Sequence, residues 1–269
     1  MSDSRPIGVF DSGVGGLTVA RAVLDLLPNE SLIYVGDSAH FPYGPRPVEE
    51  IRGYAMEIAA ALVERDVKLL VVACNSIEVS AIGDIAAAHG VPVVGVINPG
   101  ARAAIRATRK GVVGVIGASA TILTGAYQRA VGSTVELHAA ACPVFVEHVE
   151  RGDTTSEGLR TAARRYLAPL KEEGIDTLIL GCTHYPLLSG LLQLELGPNV
   201  VLVSSAEETA KDVYAELLRA GGLREEPDPP HHEFLTTGDA GPFRDHAELF
   251  LGRELAHVKA VHIEAGGRA

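Results

Sequence analysis

"VKLLVVACNS", Val67 to Ser76, decides how this chain is read. Its Leu and Val residues run on without polar alternation, then stop at a cysteine, an amide and a hydroxyl. A continuous branched run of this length is the pattern of a strand buried on both faces of a parallel sheet. Asn75 or Ser76 after it suits the cap of a helix, expected over 77–89. A strand that delivers polar side chains to the start of a helix is also where open α/β sheets bind ligands.

The same unit recurs on either side. "PIGVF" (Pro6–Phe10) reads as a strand, followed by a glycine-rich loop and a helix over 17–27. "SLIYVGD" reads as a second strand, with a helix over 53–66. "VPVVGVI" reads as a fourth, after the one quoted first. Then the pattern restarts. "IGVFDSGVGG" (Ile7–Gly16) resembles "VGVIGASATI" (Val113–Ile122) at an offset of 106 residues. "VVACNS" (Val71–Ser76) resembles "LILGCTH" (Leu178–His184), with the cysteines 108 residues apart. Two resemblances at nearly equal offset predict two pseudo-symmetric α/β domains with mainly parallel sheets. The Pro-Gly turn signal in "INPGAR" (Ile97–Arg102) is the expected boundary. A first domain of 1–97 plus 207–269 and a second of 98–206 follow, with the tail packed on the first half. In that tail, "SSAEETAKDVYAELLRA" reads as a capped helix. "HEFLTTGD" and "VKAVHIE" read as strands around a helix near 241–251.

Composition narrows the function classes. Hydrophobic residues make up 47% of the chain and charged residues 21%, which predicts a packed core. The net charge of −11, without a Lys/Arg-rich run, argues against a nucleic-acid or acidic-membrane partner. A small anion remains compatible, because local backbone N–H groups bind anions whatever the global charge. "MSDSRPIGVF" lacks the apolar core of a signal peptide, and no run approaches the ~18 apolar residues of a membrane span. A cytoplasmic protein with reduced thiols is expected. Cys74, Cys142 and Cys182 are odd in number and lack C-x-x-C spacing, which argues against disulfides and a metal site.

The chemistry is concentrated at the strand ends. Cys74 and Cys182 each stand where a strand gives way to a helix, and Pro186 suits the opening turn of the second. The positive end of a helix favours a thiolate. Two thiols facing each other across a cleft could take a proton from one face of a carbon and return one to the other. That inverts a stereocentre without a cofactor. Cys142, in "ACPVF", keeps the plainer reading of a small core residue. Asp11 could assist a thiol or a substrate ammonium, or merely cap a turn. His184 could relay a proton. Ser12, Asn75, Ser76 and Thr183 offer groups suited to carboxylate oxygens. Tyr43 and Gly44, in "FPYGPRP", could line the cleft.

Six ordered motifs make the whole chain resemble the glutamate racemases: "GVFDSGVGGLTV", "GDSAHFPYGPRP", "VVACNS", "GVIGASATI", "ACPVFVEHVERG" and "LGCTHYPLL". The resemblance implies Cys74 and Cys182 as acid/base thiols, Asp11 supporting the first and His184 the second. It implies substrate contacts at Asp11–Ser12, Tyr43–Gly44, Asn75–Ser76 and Thr183–His184, and a further catalytic carboxylate at Glu150. It also implies glutamate as the substrate, no cofactor, a homodimer, and a role in peptidoglycan synthesis, hence in cell-wall biogenesis and cell shape. Ile77, Glu78 and Val79 depart from the small residues usual there, and His40 lies on variable ground.

Two other activities stay open on residues alone. An aspartate racemase would share the two thiols. A dinucleotide-binding protein would explain "GVGGLT" after a strand and Asp37 lying 21 residues past Gly16. Thr18, however, stands where that fingerprint needs its third glycine. An amino-acid-binding module without turnover is a third possibility.

Overall fold

The computed structural model describes residues 2–252, 255 and 257–263. Among the described residues, ten strands form two sheets: β1 (Ile7–Asp11), β2 (Leu32–Gly36), β3 (Leu69–Val72), β4 (Val93–Val94), β5 (Val112–Gly117), β6 (Glu136–Ala141), β7 (Thr177–Gly181), β8 (Val201–Ser204), β9 (His232–Thr236) and β10 (Lys259–Ala260). The first sheet runs β10-β9-β2-β1-β3-β4 and the second β6-β5-β7-β8. Every pairing is parallel. The order β2-β1-β3-β4 is repeated as β6-β5-β7-β8, so the internal resemblance in the sequence is a resemblance of topology.

Eleven α-helices cover the described part of the sheets: α1 (Leu17–Leu26), α2 (Val48–Val63), α3 (Asn75–Ala88), α4 (Ile97–Ala107), α5 (Ser119–Leu123), α6 (Ala126–Val131), α7 (Val144–Glu150), α8 (Glu157–Glu172), α9 (Ser189–Leu196), α10 (Ala206–Ala220) and α11 (Ala240–Leu251). The period-2 alternation of a strand decides which helices each side chain meets. Phe10, Val35, Leu70 and Val72 pack with Ile51, Ile58 and Leu62 of α2 and Ile77 and Ile85 of α3. Their neighbours Ile7, Val9, Tyr34, Leu69 and Val71 point the other way, toward α1, α10 and α11. Each fully buried Leu, Ile or Val contributes roughly 1.5–3 kcal/mol by leaving water. The tail packs on the first half as expected: β9 extends the first sheet beside β2, and α10 lies along α1.

Several boundaries differ from the sequence reading. α2 begins five residues early, because Pro47 stands at its N-cap and Glu49 and Glu50 suit its first turn. "INPGAR" is not a turn but the start of α4, where Pro99 occupies an early position that needs no intrahelical N–H. "VPVVGVI" keeps only Val93–Val94 as strand. Its next amides, at Val96 and Ile97, donate to the Glu78 carboxylate instead of to a neighbouring strand. The sequence reading missed β6 altogether; it is a half-buried edge strand without a continuous branched run. In "VKAVHIE" only Lys259–Ala260 is strand, and Glu264 lies outside the described residues.

Candidate active site

The carboxyl ends of β1, β3 and β7 converge, and each delivers a different group. β1 ends at Asp11, which is fully buried. Its Oδ2 accepts the N–H of Gly13 at 3.1 Å and of Gly16 at 3.0 Å; its Oδ1 has no partner among the described residues. Burial raises the Asp11 pKa, while His184 and the two amides pull it down. The amides of the glycine-rich loop are thus turned inward to a carboxylate, not outward to a phosphate. Asp37 is equally engaged: it accepts from Tyr43 Oη and from Thr237 Oγ1, and lies 3.0 Å from His40 Nδ1. Neither half of the dinucleotide fingerprint is available.

β3 leads to Cys74, which is itself the N-cap of α3 and makes no side-chain capping bond. Asn75 and Ser76, read as possible caps, lie inside the first turn instead. Asn75 Oδ1 accepts from Tyr127 Oη at 2.7 Å, a bond from the second sheet's side of the molecule. Cys74 Sγ lies 3.7 Å from Ser12 Oγ. The helix N-terminus does not win at this thiol. Burial, then the negative charge of Asp11, push the Cys74 pKa up, against the Ile77 amide and the Ser12 hydroxyl. Free Cys74 is a thiol at neutral pH.

β7 leads to Cys182, which is followed by a 3₁₀ turn (Tyr185–Leu188) before α9, not directly by an α-helix. Cys182 is partly exposed, and its Sγ lies 3.8 Å from His184 Nδ1. On the far side of the imidazole, His184 Nε2 lies 2.5 Å from Glu150 Oε1. Burial works to lower the His184 pKa, but the partners Cys182 and Glu150 outweigh it and carry it up to about 10. The ring is therefore an imidazolium at neutral pH, with one N–H toward the carboxylate and one toward the thiol. Phe250 of α11 packs edge-on against it at 5.3 Å.

Between these strands lies a cavity of about 30 Å³, lined by both Cys74 and Cys182. Ser12, Tyr43, Asn75, Ser76, Thr183 and His184 also line it. Asp11, Gly44 and Glu150 do not. Asp11 stands under the glycine loop, Gly44 faces Ala118, and Glu150 lies behind His184. Sequence reasoning missed Phe41, Thr121 and Val146 in the lining. The hydroxyl of Thr121 is buried with no partner among the described residues. Cys142 is fully buried outside the cavity lining. The volume suits about one water, far less than an amino acid occupies.

The fold and the paired thiols define a class. The chain belongs to the Asp/Glu/hydantoin racemase family, whose model matches residues 15–230. Within it, the chain is 56% identical to a glutamate racemase of Parafrankia sp. (strain EAN1pec) over 257 residues, 94% of this chain and 93% of that one. Its structure resembles a glutamate racemase isoform of Bacillus anthracis with a TM-score of 0.90 at 43% identity, covering 96% and 98% of the two chains. It resembles glutamate racemase of Francisella tularensis in complex with D-glutamate with a TM-score of 0.92 at 33% identity, covering 98% and 100%. Among the described residues no helix is long and apolar enough to cross a membrane.

Proposed function

We propose that this protein interconverts L- and D-glutamate by a two-thiol acid–base mechanism that uses no cofactor. The observation that carries the reading is one cavity bordered by both Cys74 and Cys182, which follow strands of different sheets. In the resting arrangement the two sulfurs are unlike. Cys74 is held protonated by burial and Asp11, and Cys182 faces the His184 imidazolium. Cys182 as thiolate removes the α-proton from one face of the substrate, and Cys74 donates its proton to the other. The reverse reaction exchanges the roles.

The α-carbon is a weak acid, so the developing negative charge on the carboxylate needs donors fixed in advance. Ser12, Asn75, Ser76 and Thr183 supply hydroxyl and amide groups around the cavity. Asp11, beneath the glycine loop, bears on the reaction through its negative charge beside Cys74. His184 and Glu150 form a supporting pair behind Cys182, and Tyr43 stands in the cavity wall. Exclusion of water on lobe closure strengthens each of these interactions.

Sheet membership supports domains of 1–97 with 207–269 and of 98–206. The activity would supply D-glutamate for peptidoglycan synthesis in the cytoplasm, with the protein acting as a homodimer. The test is incubation with L-glutamate in heavy water without added cofactor. Deuterium at the α-carbon of the D-product is expected; inversion that depends on added pyridoxal phosphate would overturn the mechanism. Faster turnover of L-aspartate than of L-glutamate would overturn the substrate.

A further inference from the structure

Glu78 is a buried carboxylate with no cation bonded to it among the described residues. It sits in the first turn of α3, four residues after Cys74, and is 7% exposed. Its Oε2 accepts the backbone N–H of Val96 at 2.5 Å and of Ile97 at 2.9 Å. Those amides are the entry of α4, where the chain leaves the first sheet for the second. Gly95 completes the seat, because a Cβ there would collide with the Glu78 carboxylate. Burial pushes the Glu78 pKa up to about 7, opposed by the two amides. The same turn of α3 is tied to the second lobe once more, through Asn75 and Tyr127.

We propose that Glu78 is a positioning residue: its carboxylate latches the helix carrying Cys74 to the segment that crosses between the lobes, and so sets where that thiol stands relative to Cys182. The inference rests on the acid–base role proposed above for Cys74. A charged acceptor on the open amides of a helix N-terminus makes a strong, directional tie. Protonation removes the charge and occupies one acceptor oxygen, so the latch weakens as pH falls through neutrality. The surrounding ionisable groups do not substitute for it. Tyr127 of α6 is bonded to Asn75. Arg102 of α4 and Asp212, Glu216 and Arg219 of α10 line the adjoining cleft, where Arg102 pairs with Asp212 and Arg219 with Glu216.

The test compares the wild type with Glu78→Gln, Glu78→Ser and Gly95→Ala. Three quantities are read between about pH 6 and 9: kcat and KM for glutamate, and the rate at which iodoacetamide alkylates Cys74, located by peptide mass mapping. In the wild type, kcat is expected to rise through about pH 7. In Glu78→Gln that rise disappears and kcat falls about tenfold with KM nearly unchanged, the signature of a misplaced reacting group. Gly95→Ala, which displaces the carboxylate without removing it, lowers kcat similarly. Cys74 alkylation shifts in all three variants. A folded Glu78→Gln protein with wild-type kcat, pH profile and Cys74 alkylation overturns the latch, whether or not Glu78→Ser folds. A wild type that does not racemise glutamate overturns the proposed function instead, and the alkylation rates still decide the latch.

Discussion

His184 and Glu150 are joined back to front across the second lobe: Nε2 of the ring lies 2.5 Å from Oε1 of the carboxylate, and the imidazole is all but sealed from solvent. α7 carries the carboxylate and the loop after β7 carries the ring, so 34 residues of chain separate the two. Together with Cys182, the carboxylate turns a histidine that burial alone would neutralise into a cation.

Stability at alkaline pH should depend on that pair. The folded-state pKa of His184, about 10, lies above its unfolded value of about 6.5. Its stabilisation is therefore complete below about pH 6.5 and is lost as pH rises toward 10. Chemical denaturation of the wild type between pH 7 and 10 should show this decline, and Glu150→Gln should flatten it. The same variant should lower kcat by roughly 10–100-fold, as expected when the partner that orients a proton-transfer group is removed.

Each thiol should be indispensable in turnover. Cys74→Ser and Cys182→Ser are expected to lose at least about 10³-fold in kcat, since a serine hydroxyl is a far weaker acid than a thiol and supplies no anionic base near neutral pH. The double variant should be scarcely slower than the worse single one, because the pair works as a unit. Multiplying losses would show independent action. Brief treatment with a thiol reagent should modify Cys182 before Cys74 and Cys142, because only Cys182 is partly exposed.

Gly15→Ala probes the meeting of the lobes. A Cβ at Gly15 would press on the Thr183 hydroxyl and on the His184 ring, both from the other lobe. Displacement of these groups by a fraction of an ångström to one ångström should cost up to about 10²-fold in kcat, with the fold intact by circular dichroism. Wild-type activity in Gly15→Ala would show that the lobes separate further in turnover than this closed form.

Tyr127→Phe removes the bond to Asn75 with almost no change of volume. The expected cost is about 1 kcal/mol in unfolding free energy, more if Asn75 is left unpaired in the core. KM for glutamate should rise several-fold, since Asn75 would no longer be held at the cavity wall. An unchanged KM would assign the bond to stability alone.

Much of this was legible in local pattern. The runs at 6–10, 69–74 and 178–182 announced buried parallel strands, and the repeat announced two related halves, because continuous branched segments have few other stable uses. Ser12, Asn75, Ser76, Thr183 and His184 were legible because each adjoins the end of such a run. Thr121 and Val146 were not, since neither stands beside a strand end and only the closure of the lobes brings them in. Glu78 stood out as an oddity of composition, while its partners were hidden in backbone amides that every residue carries.

Amino-acid order by itself determined the alternation of strand and helix, the duplication, and the delivery of a cysteine to the end of one central strand in each half. Local propensity and hydrophobic period suffice for these. Only the tertiary structure decided that Cys74 is kept protonated by burial and Asp11, that His184 is charged by Cys182 and Glu150, and that Glu78 spans α3 and α4. Desolvation and charge pairing depend on what surrounds a group in space, and residues far apart in the chain supply those surroundings.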